Sequence, residues 1–134
     1  MIPGHPVPDQ PARLIHQGDI YRVDIPKSHT VGSEQFKRRP YIIVSRTAVN
    51  HLGRNVVGVP MSTKVHKASQ YRILLPAAEL IRDVGYPDSF QDSVALTDQI
   101  RVLDVSRLEV KMGRLSDSAI ISVGLGLAFL FDIL

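Results

Sequence analysis

Apolar positions in this chain come in short runs separated by turn-forming residues, and only the last run is long. Across residues 14–25 the pattern alternates after Gly18, with Ile20, Tyr21, Val23 and Ile25 apolar and Arg22 and Asp24 between them. That predicts a first strand, which Pro26 stops. Residues 41–45 open with Tyr41-Ile42-Ile43-Val44, an aromatic and β-branched run that predicts a buried second strand. A third, central strand is predicted over 56–61, with Ser62-Thr63-Lys64 at its polar end. Residues 71–75, 93–97 and 100–103 predict three more, the last two joined through Asp98-Gln99. Pro76 opens a predicted helical turn over 76–80, and a turn-rich connection follows over 83–92. A short helix over 106–108 and a last strand over 109–114 complete this part.

The final run is different in kind. Ser116 suits an N-cap and Asp117 the first turn of a helix running to the last residue. Ile120, Ile121, Val123, Leu125, Leu127, Phe129, Leu130 and Phe131 leave that helix without a polar face, so it must be buried on more than one side. A domain this small offers a terminal helix one wall. The second is expected from another subunit, hence a homodimer, unless the helix sinks deeply into its own barrel. Gly124 and Gly126 each cost about 1 kcal/mol relative to alanine in a helix interior, which predicts close packing around them. Short strands with turn signals, closed by a helix, predict a mainly β fold with helical additions: a small antiparallel barrel plus a C-terminal helix.

A chain of 134 residues fits one domain, expected over 15–134, with the proline-rich residues 1–14 as a flexible extension. The absence of cysteine excludes disulfides and thiolate metal sites. No charged-then-apolar leader pattern appears, and the apolar stretch over 119–131 is too short to span a bilayer. A cytoplasmic protein with no membrane partner is expected. Charge changes the picture more. Residues 27–72 hold nine Lys or Arg against one acid, Glu34, so they carry +8 in a chain of net +3 and the rest carries −5. Clustered cations suit a polyanion, nucleic acid first, although lysines also protect sheet edges.

Candidate chemistry narrows by elimination. The histidines at 5, 16, 29, 51 and 66 never pair at ligand spacing, so no metal or other cofactor is expected. No phosphate-cradling glycine loop or nucleophile elbow appears, though spacing leaves a spatially assembled Ser-His-Asp triad open. The remaining polar residues suit metal-free RNA cleavage. That reaction needs a base for the ribose 2′-hydroxyl, a donor for the leaving 5′-oxygen and cations for the charge on phosphorus. Glu34, in a loop over 27–38 that is long for a compact domain, is the candidate base. Arg39 is the candidate phosphate clamp, and Ser62 and Thr63 are hydroxyl donors. The same residues also read as a solvated carboxylate, a surface cation and turn formers, and Asp98-Gln99 as a hairpin turn.

Several spaced motifs resolve this. Gly18-Asp19-Ile20-Tyr21 with Val23-Asp24, Gly32-Ser33-Glu34-Gln35, and Arg39-Pro40 before an apolar strand stand in order. Val59-Pro60-Met61-Ser62-Thr63, Val94-Ala95-Leu96-Thr97-Asp98-Gln99-Ile100-Arg101 and Gly113-Arg114-Leu115-Ser116 follow. Together, over about residues 17–134, the chain resembles the MazF/PemK family of toxin endoribonucleases. The resemblance implies an SH3-like barrel, a homodimer and metal-independent cleavage of single-stranded RNA to 2′,3′-cyclic phosphate and 5′-hydroxyl ends. It also implies a cognate antitoxin whose flexible acidic and apolar tail fills the RNA groove. The family's loop glutamate falls on Glu34, its arginine on Arg39 and its strand-end hydroxyl on Ser62, where threonine is usual, with Thr63 beside it. Lys37, Arg38, Lys64, Gln35, His29, Asp98 and Gln99 are the expected RNA contacts. Some PemK-type members carry an arginine two residues before the Asp-Gln pair, where this chain has Leu96, so Asp98-Gln99 is expected to be structural or RNA-contacting. A non-catalytic toxin of the same fold, acting on a protein such as DNA gyrase, is the alternative; a barrel that merely binds nucleic acid is a third reading. The presence of both Glu34 and Arg39 favours the enzyme.

Overall fold

The computed structural model of the chain describes residues 14–25, 31–32 and 37–133. Among these, eight strands are β1 (Asp19–Ile25), β2 (Lys37–Ile43), β3 (Asn55–Ser62), β4 (Ile73–Leu75), β5 (Leu80–Arg82), β6 (Ser93–Ala95), β7 (Arg101–Asp104) and β8 (Leu108–Leu115). The helices are α1 (Thr47–Asn50) and α2 (Asp117–Leu130). Every pairing is antiparallel, in the order β4-β6-β3-β2-β1-β8-β5, with β7 also on β3. The strands curl into a nearly closed barrel with α2 against it, as the pattern of short runs predicts.

β3 is the branch point. Its first half, Asn55 to Gly58, pairs with β7, and its last two residues, Met61 and Ser62, pair with β6. Thus β6 and β7 do not form the hairpin that Asp98-Gln99 suggests. Those residues belong to a 3₁₀ turn, Thr97–Gln99, that carries the chain from one end of β3 to the other. Sequence periodicity is blind to such a crossing because both strands look the same locally.

Strand alternation sorts the apolar residues into two cores. Tyr21, Val23, Ile25, Tyr41, Ile43, Val56, Leu103 and Leu108 meet from five strands in one. Ile20, Ile42, Val59 and Met61 take the opposite faces of their strands and pack with Leu75, Ala95, Leu115, Ala119 and Val123, beneath α2. One expectation needs correction, and two short elements carry no sequence signal. β2 begins at Lys37, not after a loop reaching Arg38, because the backbone of this cationic stretch pairs with β1 from Ile25 onward. Pro40 is tolerated there since the β2–β3 ladder starts only at Tyr41 and loses no donor to it. β5 and α1 are too short for any periodic signal; β5 exists because it pairs with β8.

Ser116 caps α2 as expected, its hydroxyl accepting the Ala119 N–H at 3.1 Å. It also donates to the Glu79 carboxylate, which locks the helix start to the turn before β5. Gly126 is a contact point: a Cβ there would lie 2.7 Å from Ile73 and 2.8 Å from the Tyr71 carbonyl. Around Gly124, by contrast, nothing among the described residues lies within 4 Å of an added Cβ, so the close packing expected there is absent among them. Ile121, Leu125 and Phe129, one helical turn apart, remain 64, 51 and 49 % exposed. Among the described residues no helix is long and apolar enough to cross a membrane.

Candidate nucleic-acid interface

Three consecutive cations open β2, and the pleat separates them. Arg39 lies opposite Val23 of β1 and, by alternation, on the Tyr41 side of the strand, half-buried at its end. Arg38 takes the other face, where its Nε lies 3.1 Å from Glu109 Oε1 on β8, with Arg22 also 3.5 Å from that oxygen. Lys37 starts β2 opposite Ile25. The β2–β3 register, Ile42↔Val59 and Tyr41↔Pro60, continued by two residues aligns Arg39 with Ser62. The expected cation and the expected hydroxyl are therefore carried on adjacent strands toward the same end of the barrel.

Past Ser62 the chain turns sharply. The buried Ser62 hydroxyl accepts the Lys64 N–H at 3.1 Å, and the Thr63 carbonyl accepts the Val65 N–H at 3.0 Å. Ser62 is thus a turn former first, and among the described residues its own proton has no acceptor. The bend leads into a 3₁₀ turn, Val65–Lys67, and puts Thr63 and Lys64 in solvent. Lys67 follows, and burial together with the charges of Lys64, Arg72 and Arg39 holds its ammonium below the usual lysine pKa; Asp98 acts the other way. Four cations therefore share one rim. Among the described residues, Arg39, Lys64 and Lys67 are in no ion pair.

Arg72 is the exception. Its Nε donates to Asp98 Oδ1 at 2.8 Å and its terminal nitrogen to Oδ2 at 2.7 Å, a two-point pair. Those bonds hold the Asp98 carboxyl below the usual range, while its partial burial opposes them. The β4–β6 ladder includes Ile73↔Ala95, so one further step aligns Arg72 with Leu96, two residues before Asp98. The guanidinium absent at Leu96 reaches Asp98 from across the ladder. Gln99 ends the same 3₁₀ turn, its N–H donating to the Leu96 carbonyl at 2.9 Å.

The structure therefore gathers Arg39, Ser62, Thr63, Lys64 and Asp98 at one end of the barrel and sends Arg38 to Glu109. Glu34, Gln35 and His29, and the extension before residue 14, lie outside the described residues. Lys67 and Arg72 were missed as site residues. Leu96 was the available signal for Arg72, since it left Asp98 in want of a cation that the neighbouring strand could supply. Among the described residues no three His, Asp or Glu side chains converge as metal ligands would.

Comparison with known proteins places this geometry in context. Residues 16–131 match the family model described as PemK-like, MazF-like toxin of type II toxin–antitoxin system. The Endoribonuclease MazF of Staphylococcus epidermidis is 34 % identical over 110 residues, covering 82 % of this chain and 85 % of that protein. Among solved structures, MazF from Deinococcus radiodurans superposes with a TM-score of 0.70 at 22 % identity, over 90 % of this chain and 99 % of its own. An endoribonuclease in complex with its cognate antitoxin from a mycobacterial species gives 0.64 at 20 %, over 90 % and 97 %. At these identities the two structures speak for the fold.

Proposed function

This chain belongs to the PemK-like, MazF-like toxins of type II toxin–antitoxin systems, a family of endoribonucleases, and we propose that it cuts single-stranded RNA at short sequences without a metal ion. Glu34 takes the proton from the ribose 2′-hydroxyl, and the freed oxygen attacks phosphorus. The bond from phosphorus to the 5′-oxygen breaks, and a hydroxyl at the end of β3, Ser62 or Thr63, donates to the leaving oxygen. Arg39 neutralises the charge that builds on the phosphoryl oxygens. A 2′,3′-cyclic phosphate and a 5′-hydroxyl are left.

The observation that carries this reading is the gathering of Arg39, Lys64, Lys67 and Arg72 at one rim, where burial first and then the neighbouring cations hold the Lys67 ammonium below its usual pKa. Like charges held together without an equal number of acids form a site for an anion, and a polynucleotide phosphate relieves the repulsion. Lys64 and Lys67, with Lys37 and Gln35, grip the backbone; His29 and Gln99 reach toward the bases. The working unit is a cytoplasmic homodimer joined through α2. The exposed Ile121, Leu125 and Phe129 and the open space at Gly124 support that assembly. A cognate antitoxin silences it by filling the cationic rim; that a mycobacterial endoribonuclease of this fold forms a complex with its cognate antitoxin supports the existence of such a partner.

The test is incubation of purified protein with single-stranded RNA in EDTA, with chemical analysis of the ends. Cleavage indifferent to the chelator, leaving 5′-hydroxyl ends, is expected. It should weaken steeply with added salt, since each neutralised phosphate releases counterions. RNA left intact at high protein concentration would remove the catalytic reading.

A further inference from the structure

We propose that Arg72 and Asp98 are a positioning pair for RNA: their two-point contact clamps the segment between β3 and β4 so that Lys64 and Lys67 stand beside Arg39 as one phosphate-binding wall. This deepens the cleavage reading given above and rests on it. The segment over 64–72 needs such a clamp. Val65, His66, Ala68, Ser69 and Gln70 are exposed. Its own bonds are local: Lys64 N–H to the Ser62 hydroxyl, and a closed turn in which Ser69 and Arg72 exchange hydrogen bonds at 2.9 and 3.1 Å. Its far end is tied to the 3₁₀ turn Thr97–Gln99 by Arg72 to Asp98 and by the Thr97 hydroxyl to the Tyr71 carbonyl. Only the first of these ties involves charge.

The pair also solves an electrostatic problem. Among the described residues, Asp98 is the acid that acts on Lys67 against three cations. A bare carboxylate at that rim would repel a phosphate. With both oxygens engaged by Arg72, it offsets the repulsion among the cations yet presents little charge to a ligand. Arg72 therefore does two things at once: it orders the lysines and masks the acid.

This makes a prediction opposite to simple charge counting. Asp98→Asn removes a negative charge from a cationic rim, so net charge alone predicts tighter RNA binding. If the clamp is real, binding weakens instead, because the lysines lose their place. The measurements are steady-state cleavage of a short single-stranded RNA and fluorescence anisotropy of its uncleavable 2′-deoxy counterpart, at temperatures where every variant stays folded. Asp98→Asn and Arg72→Ala should each raise KM and Kd about tenfold with kcat within about threefold, the size expected for losing a charge-assisted pair. The exchanged pair, Arg72→Asp with Asp98→Arg, should recover most of the loss. Equal or tighter binding by Asp98→Asn, or an exchanged pair no better than the single variants, overturns the proposal. A parent that binds the deoxy strand with this variant pattern but cuts nothing removes the cleavage reading and leaves the clamp standing. A parent that neither cuts nor binds removes both.

Discussion

The rim at the end of β3 and the outer face of α2 are both surfaces that a lone chain leaves unsatisfied, and they differ in what would satisfy them. At the rim, burial and the charges of Lys64, Arg72 and Arg39 hold the Lys67 ammonium below its usual pKa, and among the described residues Asp98 acts the other way. On α2, Ile121, Leu125 and Phe129 face water while Ala119, Val123 and Gly126 are buried beneath them. Charge repulsion acts over several ångströms and is relieved by an anion of many shapes; exposed apolar surface is relieved only by a closely fitting apolar partner. A flexible, repeating polyanion therefore suits the first, and a rigid copy of the same helix the second. On the proposed reading, the contrast separates residues that would act on a substrate from residues that would join two copies of the chain.

The largest expected effect lies at the rim. Arg39→Ala should lower cleavage by at least about 100-fold, the size of a lost transition-state charge contact, and leave the thermal melt nearly unchanged. A variant that cuts RNA almost as well as the parent would remove Arg39 from the chemistry. On the other surface, Ile121→Glu or Leu125→Glu should turn a dimer into a monomer at micromolar concentration by light scattering. Each buried aliphatic side chain contributes about 1.5–3 kcal/mol to such an interface, and a charge there adds a burial penalty. A parent that is already monomeric would refute the two-walled helix. If Leu125→Glu abolished cutting while Arg39→Ala left the mass unchanged, assembly and chemistry would be separable but coupled.

The smallest effect concerns pH. Arg72 holds the folded-state pKa of Asp98 below the usual carboxylate value, so the pair favours the folded chain at neutral pH. That contribution fades only as the pH falls below the ordinary value and through the lowered one. In Arg72→Ala the Asp98 carboxyl should titrate higher, followed by NMR of its side-chain carbon. An unchanged titration would mean that the ion pair does not form in solution.

How much of this was legible beforehand depended on whether the cause was local. β1, the core of β3, and α2 with its Ser116 cap could be read because alternation, β-branching and capping act between neighbours in sequence. Arg39 and Ser62 could be named from motifs, yet their alignment arises from a ladder between distant strands. Arg72 could not be found that way. Its importance rests on a carboxylate 26 positions away and on the register of β4 against β6. The start of β2 escapes local pattern for a related reason: three cations and a proline contradict strand propensity, and only pairing with β1 overrides it. Gly124 and Gly126 look equivalent in sequence, but one abuts the Tyr71 carbonyl and the other faces open space.

One architectural detail bears on how such a chain diversifies. Because β3 gives its opening residues to β7 and its closing residues to β6, the two halves of that strand answer to different neighbours. Changes in the segment after Ser62, or in the short turn at Thr97–Gln99, disturb the second partnership and spare the first. Residues at that tip can therefore be exchanged while the partnership that carries the barrel wall stays in place.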